Sequence, residues 1–88
     1  MIRRRVTVSG RVQGVFYRET LRRRAVPAGV TGWVQNNPDG TVEAVLEGEP
    51  EAVERIVEFC RSGPRGARVD WVDVASEEPE GLEGFAVR

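Results

Sequence analysis

The stretch Gly10–Thr20, "GRVQGVFYRET", decides how this chain is read. Before it, Ile2 to Ser9 alternates so that Ile2, Arg4, Val6 and Val8 share one face, which predicts a first strand with Val6 and Val8 inward. After it, Tyr17, Leu21 and Ala25 recur at i, i+4 and i+8, predicting a helix from about Phe16 to Ala25 that Pro27 and Gly29 end. Two local rules fail where strand meets helix. The first N–H groups of a helix need acceptors, and no Ser, Thr, Asp or Asn lies between Arg11 and Phe16 to supply one. Arg18 also falls in the first turn, where the positive end of the helix dipole disfavours a cation.

An anion removes both anomalies. A phosphate set against the loop from Arg11 to Tyr17 accepts hydrogen bonds from the uncapped N–H groups, and the dipole favours its charge. Gly10 and Gly14 let the backbone curl its amides around such a ligand. Arg18 becomes favourable beside a dianion, and its planar fork can hold two phosphate oxygens. The same residues admit a plainer reading. In it Gly10 and Gly14 are turn glycines, Gln13 caps weakly, and Arg18 is a surface arginine paired with Glu19, Glu47 or another acid. The segment is neither a Walker A loop, since it lacks the G-K-[ST] ending, nor the G-x-G-x-x-G of dinucleotide binders.

Outward from this stretch, "VTGWVQN" and "TVEAVLEG" read as strands joined by the turn-rich "NNPDG", so Val30 to Gly48 forms a hairpin. Asn36 falls on the face shared with Val30 and Val34. Its neutral carboxamide can donate to and accept from one water molecule, although Asn beside Pro-Asp-Gly is also ordinary turn chemistry. Pro50 opens a second helix carrying Val53, Ile56, Val57 and Cys60 on one side, and Gly63 and Pro64 stop it. "ARVDWVDVAS" is a strand whose apolar phase changes between Trp71 and Val72, predicting a bulge near Asp70 to Val72. The acid run Glu77 to Glu83 reads as a solvated loop. "FAVR" supplies a short extra C-terminal strand with Phe85 and Val87 on the same side. Strand, helix, strand, strand, helix, strand is the order of the α+β, ferredoxin-like split βαβ sandwich: an antiparallel sheet with two helices on one face.

Composition narrows the chemistry. The 88 residues make one domain, 1–88, with no apolar run long enough to cross a membrane and no secretory leader after Arg3, Arg4 and Arg5. A cytoplasmic, monomeric protein is expected, with no membrane or nucleic-acid partner. Cys60 is the single cysteine and there is no histidine, so the residues offer neither an internal disulfide nor the usual zinc ligands nor histidine acid–base catalysis. Residues 1–24 hold eight Arg and one Glu, against five Arg and thirteen acids in the remainder, so a small anion should prefer the first segment.

Two motifs together carry a resemblance. "GRVQGVFYR" followed by "GWVQNNPDG", which sets Asn36 eighteen residues after Arg18, strongly resembles the acylphosphatase family. The family's loop pattern, approximately G-x-V-Q-G-V-x-[FY]-R, matches Gly10, Val12, Gln13, Gly14, Val15, Tyr17 and Arg18. Its hairpin pattern, G-W-V-x-N-x-x-D-G, matches Gly32, Trp33, Val34, Asn36, Asp39 and Gly40. The resemblance implies hydrolysis of acyl phosphates, carboxyl–phosphate mixed anhydrides, to carboxylate and inorganic phosphate with no metal or organic cofactor. It implies that Arg18 binds the phosphoryl group with the amides of Val12, Gln13, Gly14, Val15, Phe16, Tyr17 and Arg18, and that Asn36 orients the attacking water. Tyr17 stands where Phe is commoner, and Asn37 follows Asn36 as a second carboxamide able to compete for that water. The rival reading is a non-catalytic module that binds a phosphate or carboxylate ligand on the same fold. RNA recognition fits poorly, because only Trp33 and Trp71 lie in strands to stack on bases.

Overall fold

The computed structural model describes residues 1–88. Seven elements follow in order: β1 (Ile2–Arg11), α1 (Tyr17–Ala25), β2 (Thr31–Asn36), β3 (Val42–Gly48), α2 (Pro50–Ser62), β4 (Arg68–Glu77) and β5 (Phe85–Val87). They build one five-stranded sheet in the order β4-β1-β3-β2-β5. Alternation does the sorting. Val6 and Val8 of β1, Val34 of β2, and Val42, Ala44 and Leu46 of β3 face the helices, which return Tyr17, Leu21 and Ala25 from α1 and Val53, Ile56, Val57 and Cys60 from α2. Each aliphatic side chain sealed in this layer contributes about 1.5–3 kcal/mol. The α+β, ferredoxin-like architecture is the expected one.

The sheet is mixed, whereas the order of elements in the sequence predicts an antiparallel one throughout. β1–β3, β1–β4 and β2–β3 are antiparallel, but β5 lies parallel to β2, pairing Gly32 with Phe85 and Val34 with Val87. The route of the chain explains the direction. β4 ends at Glu77 opposite Arg3, near the start of β1, and β2 starts at Thr31 opposite Glu47, near the end of β3. Residues 78–84 therefore cross one end of the sheet from edge to edge and enter β5 running the same way as β2.

That crossing keeps the acid side chains of Glu78, Glu80 and Glu83 exposed, as expected of a solvated run, but its main chain is docked. The Glu47 carboxylate, 0% exposed, accepts the N–H groups of Glu80 (2.8 Å), Gly81 (3.0 Å) and Leu82 (3.0 Å) and a guanidinium N–H of Arg3 (2.8 Å). Arg3 also donates from Nε to Glu77, which belongs to β4, at 2.8 Å. Burial pushes the Glu47 carboxyl up, but Arg3 and the three amides outweigh it and hold the group below the usual carboxylate range. A carboxyl whose folded pKa lies below its unfolded value of about 4.3 stabilises the fold above that value, and the contribution disappears as pH falls through the folded pKa. Glu47→Gln is expected to flatten the acid limb of the stability curve below about pH 4.3. It should also cost about 3 kcal/mol at pH 7 by leaving Arg3 short of its buried partner. Urea unfolding of both proteins between pH 3 and 7 checks this, and an unchanged acid limb would place the titration elsewhere.

The bulge falls where the apolar phase predicted it. Ser9 pairs with Trp71 and Gly10 with Val69, leaving Asp70 outside the ladder. Gly10 has φ of +128°, and a Cβ there would stand 2.1 Å from the Arg68 carbonyl oxygen. Its lack of a side chain thus serves the β1–β4 contact, not the curl of amides around a ligand. β1 also runs two residues further than expected, to Arg11.

Candidate active site

Past Arg11 the chain leaves the sheet and turns sharply into α1. Val12 is buried in the core, Gly14 takes φ of +75°, and Phe16 takes φ of 61° and ψ of 26°. Left-handed backbone is natural for glycine and rare for a bulky residue. With Phe16 at the helix N-cap, no side chain caps α1, and its first hydrogen bond runs from Thr20 N–H to the Phe16 carbonyl at 3.0 Å. No main-chain N–H from Val12 to Glu19 donates to an acceptor within the protein. The uncapped start read from the sequence is therefore present, and these amides sit at the positive end of the helix dipole.

The plainer reading of Arg18 is not what the structure shows. Glu19 pairs with Arg22 and Arg23, Glu47 pairs with Arg3, and no side-chain carboxylate lies in ion-pair range of Arg18. Its Nη1 instead donates to the main-chain oxygen of Arg88, just past β5. The remaining edge of the fork stays unpaired. The charge count along the sequence overstates the basic reservoir, because Arg3, Arg4, Arg5, Arg22 and Arg23 are all spent on acids, and Arg24 lies over the Phe59 ring at 4.3 Å. Arg11 and Arg18 are left without an acid, and of the two only Arg18 lines the cleft with the amides described above.

Asn36 closes β2 on the helix-facing side, and its carboxamide makes no hydrogen bond within the protein. Asn37 is engaged at both ends: Nδ2 donates to Thr41 Oγ1 at 3.0 Å and Oδ1 accepts from Gln35 Nε2 at 3.0 Å. Of the two adjacent carboxamides, Asn36 is the one without a partner in the protein and the one that lines the cleft. Asp39 stiffens the same turn by accepting from the Thr41 hydroxyl (2.7 Å) and N–H (3.0 Å), contacts that hold its carboxyl below the usual range.

Gln13 has a role that its place in the sequence does not reveal. Its Nε2 donates to the carbonyls of Asn37 (2.8 Å) and Thr41 (2.9 Å), so one side chain ties the loop to the turn that follows Asn36. Local sequence offers no signal for a bond spanning 24 residues. Tyr17 also departs from a ligand role for its side chain. Its hydroxyl donates to the Cys60 carbonyl at 2.6 Å inside the core, and burial drives its pKa far up, so only its main chain faces the loop. Cys60 is a core residue as expected, its thiol pushed up to about 12 by burial.

Val12, Gly14, Phe16, Tyr17, Arg18, Glu19, Asn36 and Val87 line a single cleft of about 260 Å³. Of the candidates read from the two motifs, the structure thereby brings together Val12, Gly14, Phe16, Tyr17, Arg18 and Asn36. Gln13 and Val15 lie outside the lining, Val15 packed against the core. Val87 is a lining residue that the motifs do not point to; the signal for it is its shared side with Phe85, which places both on the helix-facing side of β5. Donors without acceptors, one unpaired guanidinium edge and one uncommitted carboxamide can together bind a tetrahedral oxyanion and orient a small molecule beside it.

No helix of the chain is long and apolar enough to cross a membrane. The acylphosphatase family model matches residues 4–87. An acylphosphatase from Haloarcula marismortui is 57% identical over 86 residues, covering 98% of this chain and 94% of its own length. Among solved structures, an acylphosphatase from Bacillus subtilis superposes with a TM-score of 0.96 at 34% identity, covering 100% of this chain and 99% of that one. An acylphosphatase from Coxiella burnetii superposes with a TM-score of 0.94 at 40% identity, covering 99% and 92%.

Proposed function

The chain belongs to the acylphosphatase family, enzymes that hydrolyse acyl phosphates, and from that premise we propose how its own residues carry the reaction. The N–H groups of Val12 to Arg18 and the free edge of the Arg18 guanidinium hold the phosphoryl oxygens. Asn36 holds a water in line with the acyl oxygen that leaves. The observation that carries this reading is the row of amides without acceptors from Val12 to Glu19, opening beside an arginine with no side-chain carboxylate partner.

The chemistry asks little more of the protein. A carboxylate leaves an anhydride readily, so positioning and charge stabilisation supply most of the acceleration, and a substrate oxygen can take the proton from water. That suits a chain without histidine. The Gln13 bonds to the β2–β3 turn keep the amides and Asn36 in fixed register, which an in-line attack requires. Release of phosphate from acetyl phosphate in the presence of chelator, with inorganic phosphate as competitive inhibitor, tests the assignment. Turnover that phosphate cannot inhibit would separate catalysis from the loop.

A further inference from the structure

We propose that Phe16 forms an apolar wall for the acyl group, so that this enzyme discriminates in favour of acyl phosphates with an apolar or aromatic acyl moiety. The inference rests on the placement of the phosphoryl group in the loop proposed above. Phe16 is 82% exposed, yet it lines the cleft and occupies left-handed backbone that a bulky residue rarely accepts. Strain of this kind persists where the surrounding structure imposes it, and it gathers at sites of function. Its effect here is to turn the ring out of the core at the cleft mouth, while Tyr17, the next residue, is directed inward. Val87, 40% exposed, supplies the apolar surface of the sheet side.

Reaction geometry assigns the occupant. With the phosphoryl oxygens on the amides, the acyl group extends toward the open mouth of the cleft, where Phe16 is the most exposed apolar lining residue. An acyl group carried there meets a ring face, and nothing else on that side offers it a polar partner: Arg18 and the amides are engaged with phosphate, and Glu19 is held by Arg22 and Arg23. Contact between apolar groups rewards a phenyl over a methyl substituent.

The test compares kcat/KM for benzoyl phosphate and acetyl phosphate in the intact enzyme and in two variants. Phe16→Gly removes the ring with a residue that tolerates left-handed backbone and brings no side chain to cap the free amides, and Phe16→Leu keeps an apolar side chain. The wild type is expected to favour benzoyl phosphate, Phe16→Gly to lower the ratio about tenfold, and Phe16→Leu to retain most of it. Because the ratio cancels any common loss of rate, a ratio unchanged in Phe16→Gly overturns the proposal. Failure of the underlying loop assignment would show differently, as absence of phosphate inhibition in the wild type.

Discussion

Arg18→Lys is expected to lower kcat/KM for acetyl phosphate by about 10³ and to abolish competitive inhibition by inorganic phosphate. The substitution keeps the charge and removes the geometry. A guanidinium has five N–H donors in a fixed plane, so Arg18 can give one to the Arg88 main-chain oxygen and still present a fork to two phosphoryl oxygens. An ammonium is a point charge on a flexible stem, with no fork to divide between the two tasks. Loss of one oxyanion donor costs roughly 10²–10³ in rate, and here a charge-assisted pair is lost. Arg18→Ala should be at least as damaging. Since the one contact of the Arg18 guanidinium within the protein is an exposed hydrogen bond to the Arg88 main chain, neither variant should move the urea midpoint much, and steady-state kinetics with phosphate as inhibitor can be read without a folding correction. Near-full turnover by the lysine variant would show that charge alone suffices.

Asn36→Ala should behave in the opposite manner toward phosphate. A fall of about 10²–10³ in kcat is expected while inhibition by inorganic phosphate stays within a few-fold of wild type. The carboxamide has no partner in the protein, so its removal leaves no buried group stranded. What disappears is a group that both donates and accepts, and so fixes one water without acting as a strong base. Equal loss of turnover and of phosphate inhibition would assign Asn36 to binding or to the turn instead.

Features written in short periods are the legible ones. Helix faces at i, i+4 and i+7, alternation in β1 to β3, and the change of phase at Asp70 each follow from a handful of adjacent residues, and the structure reproduces them. The uncapped start of α1 is legible because an expected residue type is missing. Long-range partners are not. Glu47 reads locally as a polar residue at the end of a strand, yet it is buried by an arginine 44 residues earlier and by amides over 30 residues later. The direction of β5 follows from that docking, since a free acid run would leave the last strand without a defined edge to join. Gln13 and Arg88 are hidden for the same reason: one acts through its side chain and the other through its main chain on residues far away in sequence.

The three residues of β5 also decide what the outer rim of the sheet presents to other molecules. β2 would otherwise border solvent with an unsatisfied row of donors and acceptors. The Gly84 carbonyl takes the Gly32 N–H at 3.0 Å, and the Arg88 N–H reaches the Val34 carbonyl at 2.9 Å. Exposed rows of this kind template pairing with a neighbouring polypeptide. A segment this short therefore joins two liabilities: if it peels away, Arg18 loses its tether at the same moment that β2 becomes adhesive, so inactivation and self-association should share one opening event.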